Sequence, residues 1–264
     1  MGTTNDRIST PNVRLRTTDL AAMPGRIRVE RDGAIGWIVF DQLERRNAIT
    51  VEMWQAIPPA VRELEADDAV RVVVMRGAGE VAFVSGADIS EFEHQRTAEN
   101  SREYDALNLQ AFDALGGLRK PLIAMVHGFC VGGGAALALC ADLRFAAPDA
   151  EFGIPAAKLG LGYGDRGLAQ LVRLVGPSVA SEVLFTARRF SAEEALRVGL
   201  VNAIAPKAEL ESSVRATAQA IAENAPLTVR AAKRVIRELG LPEAERDTPA
   251  TRAEIRACLE SEDY

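Results

Sequence analysis

Apolar residues in this chain come in short blocks, and the spacing inside each block separates strands from helices. Arg26 to Phe40 predicts two strands joined at Asp32-Gly33, a dipeptide that accepts the positive φ of a tight hairpin turn. Trp37, Ile38, Val39 and Phe40 give the second strand its buried residues. Thr50 is placed to cap a helix running to about Ala66. Val72-Val73-Val74-Met75 is then continuously apolar, as a strand covered on both faces must be. A polar helical stretch from about Ala98 to Leu115 precedes another short buried strand, Pro121 to Val126. Ala135 to Ala141 is apolar all round, which predicts a helix inside the protein. Leu143 to Ala146 and Glu151 to Phe152 fit short strands. Beyond Arg166 the pattern is helical, broken by Gly and Pro, with one short strand near Val201 to Ile204 and a capping box at Ser191 and Glu194.

Strands alternate with helices and neither a repeat nor a linker interrupts them, so the expected fold class is α/β. Residues 1–24, rich in Thr, Asn, Asp and Arg, read as a loosely held arm; 25–205 as a strand-and-helix spiral core; 206–264 as a helical extension. Such an extension needs a surface to pack against, and an oligomer supplies one. At 264 residues and 48% hydrophobic, the chain has ample material for a core. Its net charge of −6 repels phosphate polymers and argues against nucleic acid as a partner. A few phosphates on a small ligand remain within reach of a local cation cluster, for which Arg45, Arg46, Lys158 and Arg166 are candidates. Three cysteines, Cys130, Cys140 and Cys258, suit a reducing cytoplasm better than a disulfide framework, and Cys130 reads as a small buried thiol. No run of about 18 uninterrupted apolar residues and no signal-peptide pattern is present, so no membrane is expected. No His/Cys/Asp/Glu set has metal-ligand spacing.

Two glycine-rich clusters carry the chemistry. Phe83-Val-Ser-Gly-Ala-Asp-Ile89 follows one predicted strand, and its small residues let a ligand approach the main chain. His127-Gly-Phe-Cys-Val-Gly-Gly-Gly134 lies where a buried strand gives way to a buried helix, so free N–H groups and the helix dipole point to one place. A loop of that build stabilises a developing oxyanion, an effect worth about 3 kcal/mol per donor in acyl chemistry. Gly162, Gly164 and Gly167 also match a dinucleotide-binding spacing. The required preceding strand and following acidic residue are both missing there.

These clusters, with Arg45-Arg46-Asn47-Ala48-Ile49, the run from Cys140 to Asp142, Phe152-Gly-Ile-Pro-Ala-Ala-Lys-Leu-Gly160 and the segment Leu184 to Val201, resemble the crotonase, or enoyl-CoA hydratase/isomerase, family in order and spacing. The resemblance covers about Arg26 to Leu239. It implies a crotonase-like spiral of ββα units with a helical C-terminal extension, and assembly into a homotrimer or dimer of trimers through residues 206–264. It implies an acyl-CoA substrate, with coenzyme A as part of the substrate and no separate cofactor. The thioester oxygen would sit between the N–H groups of Ala87 and Gly133. Arg45, Arg46, Ala48, Ser85, Ala87, Asp88, Ile89 and Ser90 would contact the CoA moiety, with Gly132, Gly133, Pro155, Ala156 and Tyr163 around the acyl part.

The same resemblance marks a departure. Hydratases of the family place one glutamate two positions after the glycine triplet and another after the proline of Phe-Gly-x-Pro; here those positions are Ala136 and Ala156. Positioned acid–base groups contribute about a hundredfold to ten-thousandfold each, so efficient hydration is not expected. The first candidate for the missing proton carrier is Asp165, although Arg166 beside it favours a simple ion pair or helix cap. Tyr163 reads as a ring filling the pocket or a hydrogen-bond donor to substrate. His127 is expected in a satisfied structural hydrogen bond and His94 in solvent.

Overall fold

A computed structural model describes residues 25–88 and 98–261. The expected N-terminal arm, Ile89, Ser90 and His94 fall outside them. Strands β1 (Arg26–Asp32) and β2 (Ile35–Asp41) pair antiparallel, with Asp32 opposite Ile35 and Gly33 at φ 56° in the turn, as the Asp-Gly signal predicts. Thr50 caps α1 (Val51–Ala66) by accepting the Met53 N–H at 3.2 Å. Then follow β3 (Val72–Gly77), β4 (Ala82–Val84), α2 (Ala98–Gly117), β5 (Leu122–Val126) and β6 (Phe129–Val131). Next come α3 (Gly133–Leu139), β7 (Leu143–Ala146), β8 (Glu151–Gly153), α4 (Ala156–Leu159) and α5 (Asp165–Thr186). The C-terminal part holds β9 (Phe190–Ser191), α6 (Ala192–Arg197), β10 (Ala203–Ile204), α7 (Leu210–Ala222), α8 (Pro226–Leu239) and α9 (Thr248–Leu259).

Six strands form the larger sheet in the order β1-β2-β3-β5-β7-β10, parallel from β2 onward. Val73 and Met75 point into the main core with Ile38 and Phe40, while Val72 and Val74 point to the opposite face, covered by Leu210, Val214 and Ala218 of α7. Coverage on both faces is why the Val72–Met75 run shows no alternation. Burying each such side chain contributes roughly 1.5–3 kcal/mol.

The second sheet, β4-β6-β8-β9, departs from the sequence expectation, which treats both glycine clusters as loops and has no strand at Phe190. Strands of two or three residues are too short to show a period, and only their partners create them. Val84 lies opposite Cys130, and Val131 opposite Gly153, so this small sheet brings both clusters side by side.

Helix α5 is broken at Gly176 (φ 74°, ψ 166°), just before Pro177. Its stretch Gly167–Thr186 is long and apolar enough to cross a membrane, and about 17% of the apolar window is buried. The break would strand backbone N–H and C=O groups in lipid, which argues against a single membrane-spanning rod.

Candidate active site

The first half of the site is the turn before α1. Arg46 and Asn47 both have left-handed backbones, φ 53° and 54°, an unfavourable region for arginine. Asn47 holds the turn from within: it is buried, its Nδ2 donates to the carbonyls of Ala78 (2.9 Å) and Ala82 (2.8 Å), and its Oδ1 accepts the Gln42 N–H (3.1 Å). The turn is laced to residues 85–88. Ser85 donates its N–H to the Arg46 carbonyl and its hydroxyl to the Arg45 carbonyl, both at 3.2 Å. The Ile49 N–H donates to Gly86 O (2.8 Å), and the Asp88 N–H to Ile49 O (3.0 Å). Asp88 is 6% exposed, and its carboxylate accepts from Arg45 Nη1 at 2.7 and 2.9 Å and from Gln42 Nε2 at 3.2 Å. A buried carboxylate needs such a partner, and the pair fixes the direction of Arg45. Ala48 is buried beneath the turn. The Arg46 guanidinium lies 5.0 Å from the ring centre of Phe129, as does that of Arg189.

The second half is the passage from β6 into α3. Gly132 takes φ 56° and donates its N–H to Gly153 O at 2.8 Å, which sets the stretch leading to Pro155 and Ala156 beside the glycine triplet. A Cβ on Gly134 would lie 2.1 Å from Val84 O, so only glycine permits α3 this close to β4. A Cβ on Gly132 would lie 3.9 Å from the Gly86 Cα, so the two clusters touch. Among the described residues, neither the Ala87 nor the Gly133 N–H has a main-chain acceptor. Behind α3, the buried Arg144 donates to Ala141 O (2.5 Å), just past the end of α3, and to Leu200 O (2.7 Å), just past the end of α6.

Both positions where the family's hydratases carry glutamate are buried methyl groups: Ala136 is 7% exposed and Ala156 6%. Pro155 is the N-cap of α4, and Lys158 is exposed on it. Tyr163 is half-buried against the main core beside Gly167, and burial raises the pKa of its phenol. Asp165 opens α5 with Gly164 as N-cap; its side chain and that of Arg166 lie outside the described set. Cys130 is a buried thiol, as expected, and desolvation raises its pKa. Burial pushes Cys140 up to about 12.

The expectation for His127 is corrected: its buried Nε2 has no hydrogen-bond partner among the described residues. Burial lowers its pKa, with Lys207 and Arg76 in the same direction and Asp149 and Glu80 opposing. Burial thus favours the neutral imidazole. Sequence reasoning gave no role to Arg144 or to Trp54, whose ring edge lies under Gly133, and it placed Asn47 in a motif without seeing that it holds the turn from within. Only Asn47 gave a signal, since asparagine tolerates left-handed backbone and can bond to main chain around it.

The family model described as enoyl-CoA hydratase/isomerase matches residues 30–255. A short-chain-enoyl-CoA hydratase of Clostridium acetobutylicum is 38% identical over 208 residues, 79% of each chain. A carnitinyl-CoA dehydratase of Salmonella enteritidis is 36% identical over 218 residues, 81% of each chain. Among solved structures, a putative enoyl-CoA hydratase/isomerase family protein of Hyphomonas neptunium superposes with a TM-score of 0.86 at 38% identity, covering 92% of both chains. The chain therefore belongs to the enoyl-CoA hydratase/isomerase family, the crotonase superfamily of acyl-CoA enzymes.

Proposed function

We propose that this enzyme holds the thioester oxygen of an acyl-CoA between the N–H groups of Ala87 and Gly133 and stabilises the enolate formed at the α-carbon. The observation that carries this reading is the pair of N–H groups that, among the described residues, have no main-chain acceptor and lie on two touching glycine-rich segments. Each preorganised donor of this kind is worth about 2.7–4 kcal/mol in acyl chemistry. The neighbouring turn, with Arg45 fixed by Asp88 and Arg46 stacked on Phe129, offers cations to CoA phosphates. Ser85 and Ala48 line that turn, and Ile89 and Ser90 continue it in sequence. Pro155, Ala156 and Tyr163 would border the acyl group. Phe185 (80% exposed), Ile236 (72%) and Leu239 (64%) present apolar surface on α5 and α8 that a trimer or dimer of trimers would cover.

The reaction that follows enolate formation is isomerisation or decarboxylation, with hydration slow. Relatives named for hydration and dehydration support the acyl-CoA substrate. Methyl groups at Ala136 and Ala156 neither deprotonate water nor protonate carbon. Decarboxylation suits their loss, because departing CO2 leaves its electron pair on the α-carbon and no base is needed. Proton transfer, where required, falls to Asp165.

Incubation with saturated and unsaturated acyl-CoAs in heavy water tests the proposal. Deuterium entering the α-position supports it, and Asp165→Asn should abolish that exchange. Tight binding with neither exchange nor CO2 release from a carboxylated acyl-CoA would instead identify a catalytically silent acyl-CoA-binding subunit.

A further inference from the structure

The two proposed carbonyl-holding donors, on separate loops, are set by one short piece of chain, Ile49 to Trp54. Ile49 grips the Ala87 side: its N–H donates to Gly86 O and its carbonyl accepts from Asp88, so both neighbours of Ala87 are held while the Ala87 N–H is left out of the ladder. The Ile49 side chain also reaches the other donor, since a Cβ on Gly133 would lie 3.7 Å from its Cγ2. Trp54 completes the support. Its Cζ2 would be 3.1 Å from that Cβ and its Cη2 3.7 Å, so the indole edge lies directly against the Gly133 backbone. Thr50 stiffens the piece, accepting the Met53 N–H on its hydroxyl and the Trp54 N–H on its carbonyl at 3.0 Å.

The indole is fixed from α2. Trp54 is 1% exposed, and its ring N–H donates to the Tyr104 hydroxyl at 2.9 Å. Edge-on contacts to the Tyr104 ring (centroids 6.4 Å apart) and the Phe112 ring (5.5 Å) hold its tilt. A buried indole N–H without this acceptor would turn toward another, carrying its six-membered edge away from Gly133.

We propose that Trp54, oriented by the Tyr104 hydroxyl, is a positioning residue that sets where the Gly133 N–H points relative to that of Ala87. The proposal rests on the carbonyl-holding reading above. It extends the site to α2, which the glycine clusters do not suggest.

The test uses the full chain with Tyr104→Phe, Trp54→Phe and the double variant. Its probe is cinnamoyl-CoA, a conjugated thioester whose absorption moves to the red as its carbonyl accepts stronger hydrogen bonds. Wild type should shift the bound probe. Either single variant should cut that shift by half or more and slow α-proton exchange about tenfold, since small misplacements of such donors are costly. The dissociation constant of free CoA should stay within about twofold, because no CoA contact changes. The double variant should be no worse than Trp54→Phe alone. Tyr104→Phe removes one oxygen from a half-buried residue and keeps its ring, so the test survives if the core variant fails to fold. A full red shift and full exchange in the variants overturn this proposal alone. A further loss from Tyr104→Phe in the Trp54→Phe background also overturns it, since the hydroxyl would then act on substrate directly. No shift in wild type overturns the carbonyl-holding reading, and this proposal with it.

Discussion

Gly134→Ala is the sharpest perturbation of the proposed carbonyl site, because it adds one carbon at a place where the available space is known. The new Cβ would meet Val84 O at 2.1 Å and the Val84 Cβ at 2.8 Å. Relief to an ordinary contact needs about 1 Å of separation between β4 and α3 at van der Waals distances. Neither partner is the end of a flexible side chain: Val84 is in a strand paired to Cys130, and Gly134 is in the first turn of a buried helix. Overpacking of this kind costs about 3 kcal/mol. The same displacement parts the Ala87-bearing segment from Gly133, and about 1 Å of misplacement lowers rates on the order of a hundredfold. Gly116→Ala is the control, since a Cβ there meets nothing within 4 Å. Thermal unfolding and α-deuterium exchange should show Gly134→Ala crippled in both and Gly116→Ala unaffected. A Gly134→Ala protein that melts and exchanges like wild type would refute the claim that β4 and α3 set the donors by direct contact.

Restoring carboxylates with Ala136→Glu and Ala156→Glu together should raise crotonyl-CoA hydration by at least about a hundredfold, followed by loss of enoyl absorbance, whereas each change alone gains little. No gain in a folded, CoA-binding double variant would show that these positions do not face the thioester. His127 has a folded-state pKa below its ordinary 6.5, so its contribution to stability is complete above pH 6.5 and declines as pH falls toward the lowered value. Denaturant unfolding from pH 7.5 to 5 should therefore show a steeper acid-side decline for wild type than for His127→Gln; parallel curves would contradict a buried neutral imidazole. With its thiol near 12, Cys140 carries about one thiolate in ten thousand at pH 8. Native protein should leave it unlabelled by iodoacetamide while denatured protein reacts, and rapid native labelling would show that the thiol is not desolvated.

Local chemistry fixed much of this protein in advance. The Asp32-Gly33 hairpin, the Thr50 cap, the Ser191–Glu194 capping box and the two-sided burial of Val72 to Met75 follow from backbone conformation, capping and hydrophobic pattern over a few neighbours. The glycine clusters were legible as a pair, since a glycine triplet alone equally suits a tight turn, whereas two such clusters a strand apart suggest close approach of main chains. Tertiary structure alone decided the rest. Strands β4, β6 and β9 exist because each finds a partner distant in sequence, and no period fits in two or three residues. Trp54 under Gly133 and Arg144 behind α3 belong to no local motif that would mark them in the sequence. Their roles depend on contacts between segments tens of residues apart, which follow from how the sheets stack and not from either segment's own preferences.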